Sequence, residues 1–136
     1  MDELKSLLLR HEGLRLKAYS DTCGKITIGV GRNIEDVGIS STEAMYLLEN
    51  DITRAKAGAY TFHWYPKLDE ARKDVVVSMI FNLGLGGFCK FMRLIEALEV
   101  QNYSKAADEM LDSTWAHQVG ERAKELATIM RTGEHG

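Results

Sequence analysis

The feature that most constrains this chain is the dense apolar run Val75, Val76, Met79, Ile80 and Leu83, spaced as in a helix and ended by Gly84. Such a run predicts a central buried helix, because so much apolar surface needs neighbours to cover it. From about Asp69 onward everything reads as helical, with three further helices near 88–99, 102–113 and 121–131. Upstream, Ser40 to Glu43 is a capping-box pattern, followed at helical spacing by Met45, Leu48, Ile52, Ala55 and Ala59. The aromatic stretch from Tyr60 to Pro66, around the only proline, interrupts that pattern.

The N-terminal segment reads differently. Leu4, Leu7, Leu8 and His11 share one face of a first helix, which Gly13 should end as a residue tolerant of positive φ. Residues 15–31 then predict a small β-hairpin turning at Asp21-Thr22-Cys23-Gly24. In its second strand the pleat places Ile26, Ile28 and Val30 on one face. Lys25, Thr27, Gly29 and Gly31 then fall on the other. The expected architecture is α+β and mainly helical: a single domain over 1–136. A small hairpin lobe (about 13–60) and a larger helical lobe (about 1–12 and 61–136) should flank a cleft.

A chain of 136 residues can bury a self-sufficient core without disulfide or metal. Its 17 basic and 20 acidic residues give a net charge of −3, which argues against nucleic acid as the main partner. No apolar run approaches the length of a membrane span, so stable membrane insertion is not expected. The acidic opening MDELKSLLLR lacks a signal-peptide pattern. Cys23 and Cys89 fit no metal-ligand spacing and read as free thiols. His11, His63, His117 and His135 show no i, i+4 pairing. No metal and no cofactor is expected.

Three residues between 12 and 31 can carry chemistry together. Glu12 sits in a helix's last turn, facing the negative end of the dipole, which favours the protonated form a general acid must supply. Asp21 opens a tight turn, a place where aspartate is also common for purely structural reasons. Thr27, read alone, is an ordinary strand residue facing solvent. As a set, with Gly29 and Gly31 leaving room for a sugar ring near the backbone, an acid, a second carboxylate and a hydroxyl suit glycoside hydrolysis.

The run Glu12-Gly13, Tyr19-Ser20-Asp21 and Thr27-Ile28-Gly29-Val30-Gly31 resembles the active-site signature of the phage T4-type lysozymes, glycoside hydrolase family 24. The likeness continues through Phe81-Asn82-Leu83-Gly84, Gly87-Phe88, Ser113 to Gln118, Arg122-Ala123 and Arg131-Thr132-Gly133, so it covers roughly the whole chain. The resemblance implies Glu12 as general acid, Asp21 as the carboxylate acting on a water, and Thr27 as a holder of that water. It implies cleavage, with inversion, of the β-1,4 bond between N-acetylmuramic acid and N-acetylglucosamine. Inversion needs the two carboxyl groups about 6.5–9.5 Å apart.

By the same matching, Arg122 falls where the family's arginine pairs with the catalytic glutamate, and Phe81 would line the cleft floor. The competing readings are a surface arginine beside Glu121 and Glu125, and a core aromatic. Gly31, Arg32, Asn33, Phe91 and Glu109 are the other candidate substrate contacts. Arg32 stands where many members carry histidine, and its alternative role is an ion pair with Glu35, Asp36 or Asp69. Asn33 stands where the T4-type pattern has leucine, and Phe91 and Glu109 stand where it has the polar substrate-contacting residues serine and asparagine.

The implied function is bacterial cell-wall lysis by a monomeric endolysin acting on peptidoglycan. Its synthesis would be in the host cytoplasm and its release would depend on a holin. Two alternatives stay open: a catalytically weak or inactive wall-binding or structural module on the same fold, and a lytic transglycosylase. Asp21 and Thr27 weigh against both.

Overall fold

The computed structural model of the chain describes residues 2–136. These divide into two compact units, one up to Leu47 and the other Leu48–Gly136.

In the first unit, helix α1 (Glu3–Glu12) starts on Asp2, whose carboxylate accepts from the Lys5 N–H at 2.6 Å. It stops at Gly13, where φ is 76° and the N–H returns to the Leu9 carbonyl at 3.0 Å. Strands β1 (Arg15–Ser20), β2 (Ile26–Gly29) and β3 (Arg32–Asn33) follow as one antiparallel sheet in the order β1-β2-β3. Tyr19 pairs with Thr27 and Ser20 with Ile26, but the register slips before Arg15 meets Gly29. That slip marks a bulge in β1. β3, missing from the two-strand reading, pairs Arg32 with Ile28 and Asn33 with Thr27.

The pleat argument holds only as far as Ile28. Gly29 and Gly31 have φ of 72° and 67°, so they turn the chain and do not extend the Thr27 face. Gly29 is the last residue of β2, and Val30-Gly31 is the two-residue connection to β3. Thr27 is not the solvent-facing residue of the bland reading: it is 3% exposed, whereas Ile26 beside it is 40% exposed. Among the described residues of this unit it is the sole buried side chain.

Helix α2 (Ser41–Ala59) opens on the predicted capping box. The Ser40 hydroxyl accepts from the Glu43 N–H at 3.1 Å, and Glu43 Oε1 accepts from the Ser40 N–H at 2.8 Å. Its second half belongs to the second unit, where Ala55 and Ala59 enter the core.

That core is built round helix α3 (Glu70–Cys89), whose Val75, Val76, Met79 and Ile80 are buried. Asp69 caps its start by accepting from the Arg72 N–H at 3.3 Å. Gly84, with φ 75° and ψ 162°, breaks the helical path, but a further turn runs on to Cys89. Helices α4 (Met92–Glu99), α5 (Tyr103–Leu111), α6 (Thr114–Val119) and α7 (Glu121–Thr132) complete the unit. The predicted helix near 88–99 therefore starts later, and a separate six-residue α6, capped by Ser113, was not separated by pattern alone. Leu94, Leu98, Met110, Met130, Trp64, Tyr65 and Trp115 close the core. The interrupting aromatic stretch is thus a core plug, held by a 3-10 turn at Tyr65–Lys67. The fold is mainly helical α+β, and among the described residues no single helix is long and apolar enough to cross a membrane.

Candidate active site

Glu12 reaches the site because α1 ends there. Its side chain is exposed, and its carboxyl group lies against the backbone of Gly31. A Cβ placed on Gly31 would stand 2.7 Å from Glu12 Oε2 and 2.9 Å from Cδ, closer than any real methyl group comes. The glycine is favoured by its φ, and any side chain there would displace the exposed end of Glu12.

Asp21 is placed by its own turn. Its N–H donates to the Lys25 carbonyl at 2.9 Å, and Gly24 donates back to the Asp21 carbonyl at 3.0 Å. Oδ1 accepts from the Cys23 and Lys25 N–H groups at 2.9 and 2.8 Å. Among the described residues, both hydrogen bonds to this carboxylate fall on Oδ1. The structural role and a chemical one therefore coexist, since Oδ2 is not what closes the turn.

Thr27 is tied to the same turn. Its hydroxyl donates to the Lys25 carbonyl at 3.0 Å, the oxygen that also receives the Asp21 N–H. With its proton committed, the Thr27 oxygen is left as an acceptor. A general base at Asp21 and an acceptor at Thr27, joined through one carbonyl, suit the holding and deprotonation of a water. Glu12, Asp21, Thr27 and Gly31 all lie in the first unit.

The other sequence candidates have more varied settings. Arg32 is engaged by Glu43, not by Glu35, Asp36 or Asp69. Its Nη1 and Nη2 donate to the two Glu43 oxygens at 3.0 and 2.7 Å, and Nη1 also donates to the Gly38 carbonyl at 3.0 Å. The guanidinium hydrogen bonds, with the Ser40 N–H, pull the Glu43 carboxyl down from 4.5 to about 2, and the Arg32 value rises in return. Glu35 and Asp36 instead receive Lys25, at 3.5 and 3.4 Å. Asn33 closes a local turn, its amide donating to Asp36 Oδ2 at 3.1 Å and its carbonyl oxygen accepting from the Asp36 N–H at 3.0 Å.

In the second unit, Phe91 and Glu109 line one open groove with Lys90, Ser113 and Trp115. Phe91 also stacks on Phe88 and meets Trp115 edge-on, which makes it a core-edge aromatic. Phe81 is 45% exposed and lines a different hollow, with Arg54, Gly58 and Leu85. Arg122, at the start of α7, donates to the Ser78 hydroxyl at 3.4 Å. Sequence reasoning missed Glu43 as a partner of the site; its capping box was visible, but not the bond across eleven residues to Arg32.

Comparison with known proteins gives this geometry a context. The chain is 36% identical over 129 residues to the endolysin of Acyrthosiphon pisum secondary endosymbiont phage 1, spanning 92% of this chain and 86% of that protein. It is 34% identical over 112 residues to the endolysin of Salmonella phage P22, spanning 76% and 75%. It is also 28% identical over 163 residues to probable T4-type lysozyme 1 of Dictyostelium discoideum, spanning 98% and 96%. The profile of the phage lysozyme family matches residues 9–132, from within α1 to the last residue of α7. By that match and by both endolysin relatives, the chain belongs to the phage lysozyme family.

Proposed function

We propose that this protein is a muramidase, cutting the β-1,4 bond between N-acetylmuramic acid and N-acetylglucosamine with inversion. Family membership supports the coarser statement that it is a peptidoglycan hydrolase. The observation that carries the finer one is the joint placement of Asp21 and Thr27 on the Lys25 carbonyl, in the same unit as the Glu12 carboxyl on Gly31.

In this reading Glu12 protonates the glycosidic oxygen as its bond to the anomeric carbon breaks. Asp21 takes a proton from a water that Thr27 holds by accepting its second hydrogen. That water attacks the opposite face of the sugar, leaving an α-configured reducing muramic end and a free 4-hydroxyl on the glucosamine. Arg122 is proposed as the partner that orients the Glu12 carboxyl, and Gly31 as the surface over which the sugar passes. Phe81, Phe91, Glu109 and Asn33 are proposed contacts for the rest of the substrate.

The setting proposed for it is that of an endolysin: monomeric, made in the host cytoplasm, released through a holin lesion and acting on the wall. The test uses purified peptidoglycan with the wild type, Glu12→Gln and Asp21→Asn. Reducing muramic ends that appear with the wild type and vanish in both variants are expected. A 1,6-anhydro product, or full activity in Glu12→Gln, overturns the reading.

A further inference from the structure

Glu12 rests on a part of the chain that is intrinsically loose. The segment from the end of β2 at Gly29 through the Val30-Gly31 connection holds two glycines with positive φ, the residues with the most conformational freedom to lose. One end of this segment is held by pairing of β2 with β1, where Gly29 stands opposite Arg15 beyond the bulge. The other end passes at once into Arg32, whose ladder partner is Ile28 on the same hairpin. These ladder pairs, with the Ile34 N–H on the Ile26 carbonyl at 3.0 Å, tie the strand after Gly31 to its own hairpin but not to a helix.

The side chain of Arg32 supplies the missing anchor. It makes a two-pronged ion pair with Glu43 and a third bond to the Gly38 carbonyl. Glu43 is fixed in turn, since Oε1 also receives the Ser40 N–H and its backbone is in the first turn of the 19-residue α2. A forked guanidinium–carboxylate pair defines orientation as well as distance, unlike a lysine contact. On the opposite side, the capped end of α1 holds Glu12 itself. The carboxyl group is therefore set between a helix end and a loop pinned one residue away.

We propose that Glu43 is a positioning residue: acting through Arg32, it fixes Gly31 and so sets where the Glu12 carboxyl meets the glycosidic oxygen. The inference rests on the muramidase reading, in which Glu12 is the acid. It gives Arg32 a scaffold role in place of a substrate contact. An anchor of this kind acts on kcat, because it serves the placement of the reacting proton and not the binding of sugars.

The test measures kcat, KM and thermal midpoint on soluble peptidoglycan fragments for Glu43→Gln, Arg32→Lys, the double variant and Glu12→Gln. Arg32→Lys keeps the charge and gives up the fork, so it reads the same geometry should Glu43→Gln fold poorly. The expected result is a fall in kcat of about ten-fold in each single variant, with KM within about two-fold. The double variant should be no worse than either single one, as for two groups acting as a unit. Unchanged kcat in a folded Arg32→Lys or Glu43→Gln, with Glu12→Gln inactive, overturns the positioning role alone. A raised KM with unchanged kcat in Arg32→Lys overturns it too, and assigns Arg32 to the substrate. Full activity in Glu12→Gln removes the muramidase reading itself.

Discussion

The carboxyl group of Glu12 lies on Gly31 so closely that a methyl group there would stand 2.7 Å from Oε2. Gly31→Ala must therefore both strain a backbone at φ 67° and push the carboxyl aside. The backbone part should cost about 1–2 kcal/mol in urea unfolding. The displaced acid should lower kcat by about a hundred-fold, far beyond what that loss of stability removes from a folded population. A variant with the expected stability loss and full kcat would show that the Glu12 position is not needed.

Glu43 makes a pH-dependent contribution of known sign. Folding lowers its carboxyl from 4.5 to about 2, first through the hydrogen bond from Arg32. The stabilisation is therefore fully present above about 4.5 and is lost as pH falls toward 2. The difference in thermal midpoint between wild type and Glu43→Gln should be constant from neutral pH to about 5 and then shrink. A difference that stayed level down to the acid end would mean the pair is not formed in solution.

Arg72 closes the end of α7. Its Nε donates to the Met130 carbonyl at 2.6 Å and Nη2 to the Arg131 carbonyl at 3.1 Å, while Nη1 holds Asp69 at 2.9 Å. The guanidinium also stacks 3.9 Å from the centre of the Tyr103 ring. Arg72→Met should cost about 2–3 kcal/mol, because two charge-assisted bonds to helix-end carbonyls go together. Denaturant unfolding reads this directly, and kcat of the remaining folded protein should be unaltered.

Trp115 is almost fully buried, and its indole N–H donates to Asn82 Oδ1 at 2.8 Å. Asn82→Ala should cost about 1 kcal/mol, with water available on the exposed Asn82 side to limit the loss. A shift in tryptophan fluorescence should accompany it. Replacement by aspartate, which keeps the acceptor, should largely restore stability.

These cases show where sequence was sufficient. Gly13 and Gly24 end a helix and a turn by local rules, and the Ser40–Glu43 box reads directly, so α1, the Asp21 turn and α2 were all legible. The pleat rule failed at Gly29 because it presumes an extended backbone, and two glycines there take left-handed φ instead. Helix α6, at six residues, is too short for a periodic signal. The Arg32–Glu43 pair was invisible because Glu35, Asp36 and Asp69 were equally plausible partners until the fold chose among them. Thr27 was legible as a candidate only through its company, and strand alternation alone does not say which face of β2 is buried, the face of Thr27 or that of the exposed Ile26.

The most direct test of the central claim is the configuration of the first reducing ends released from peptidoglycan, followed by proton NMR before mutarotation equalises the anomers. Inversion by Glu12 and an Asp21-activated water predicts that muramic ends appear first as the α-anomer. A β-anomer at the earliest times would contradict the account, because retention requires two successive displacements at the anomeric carbon.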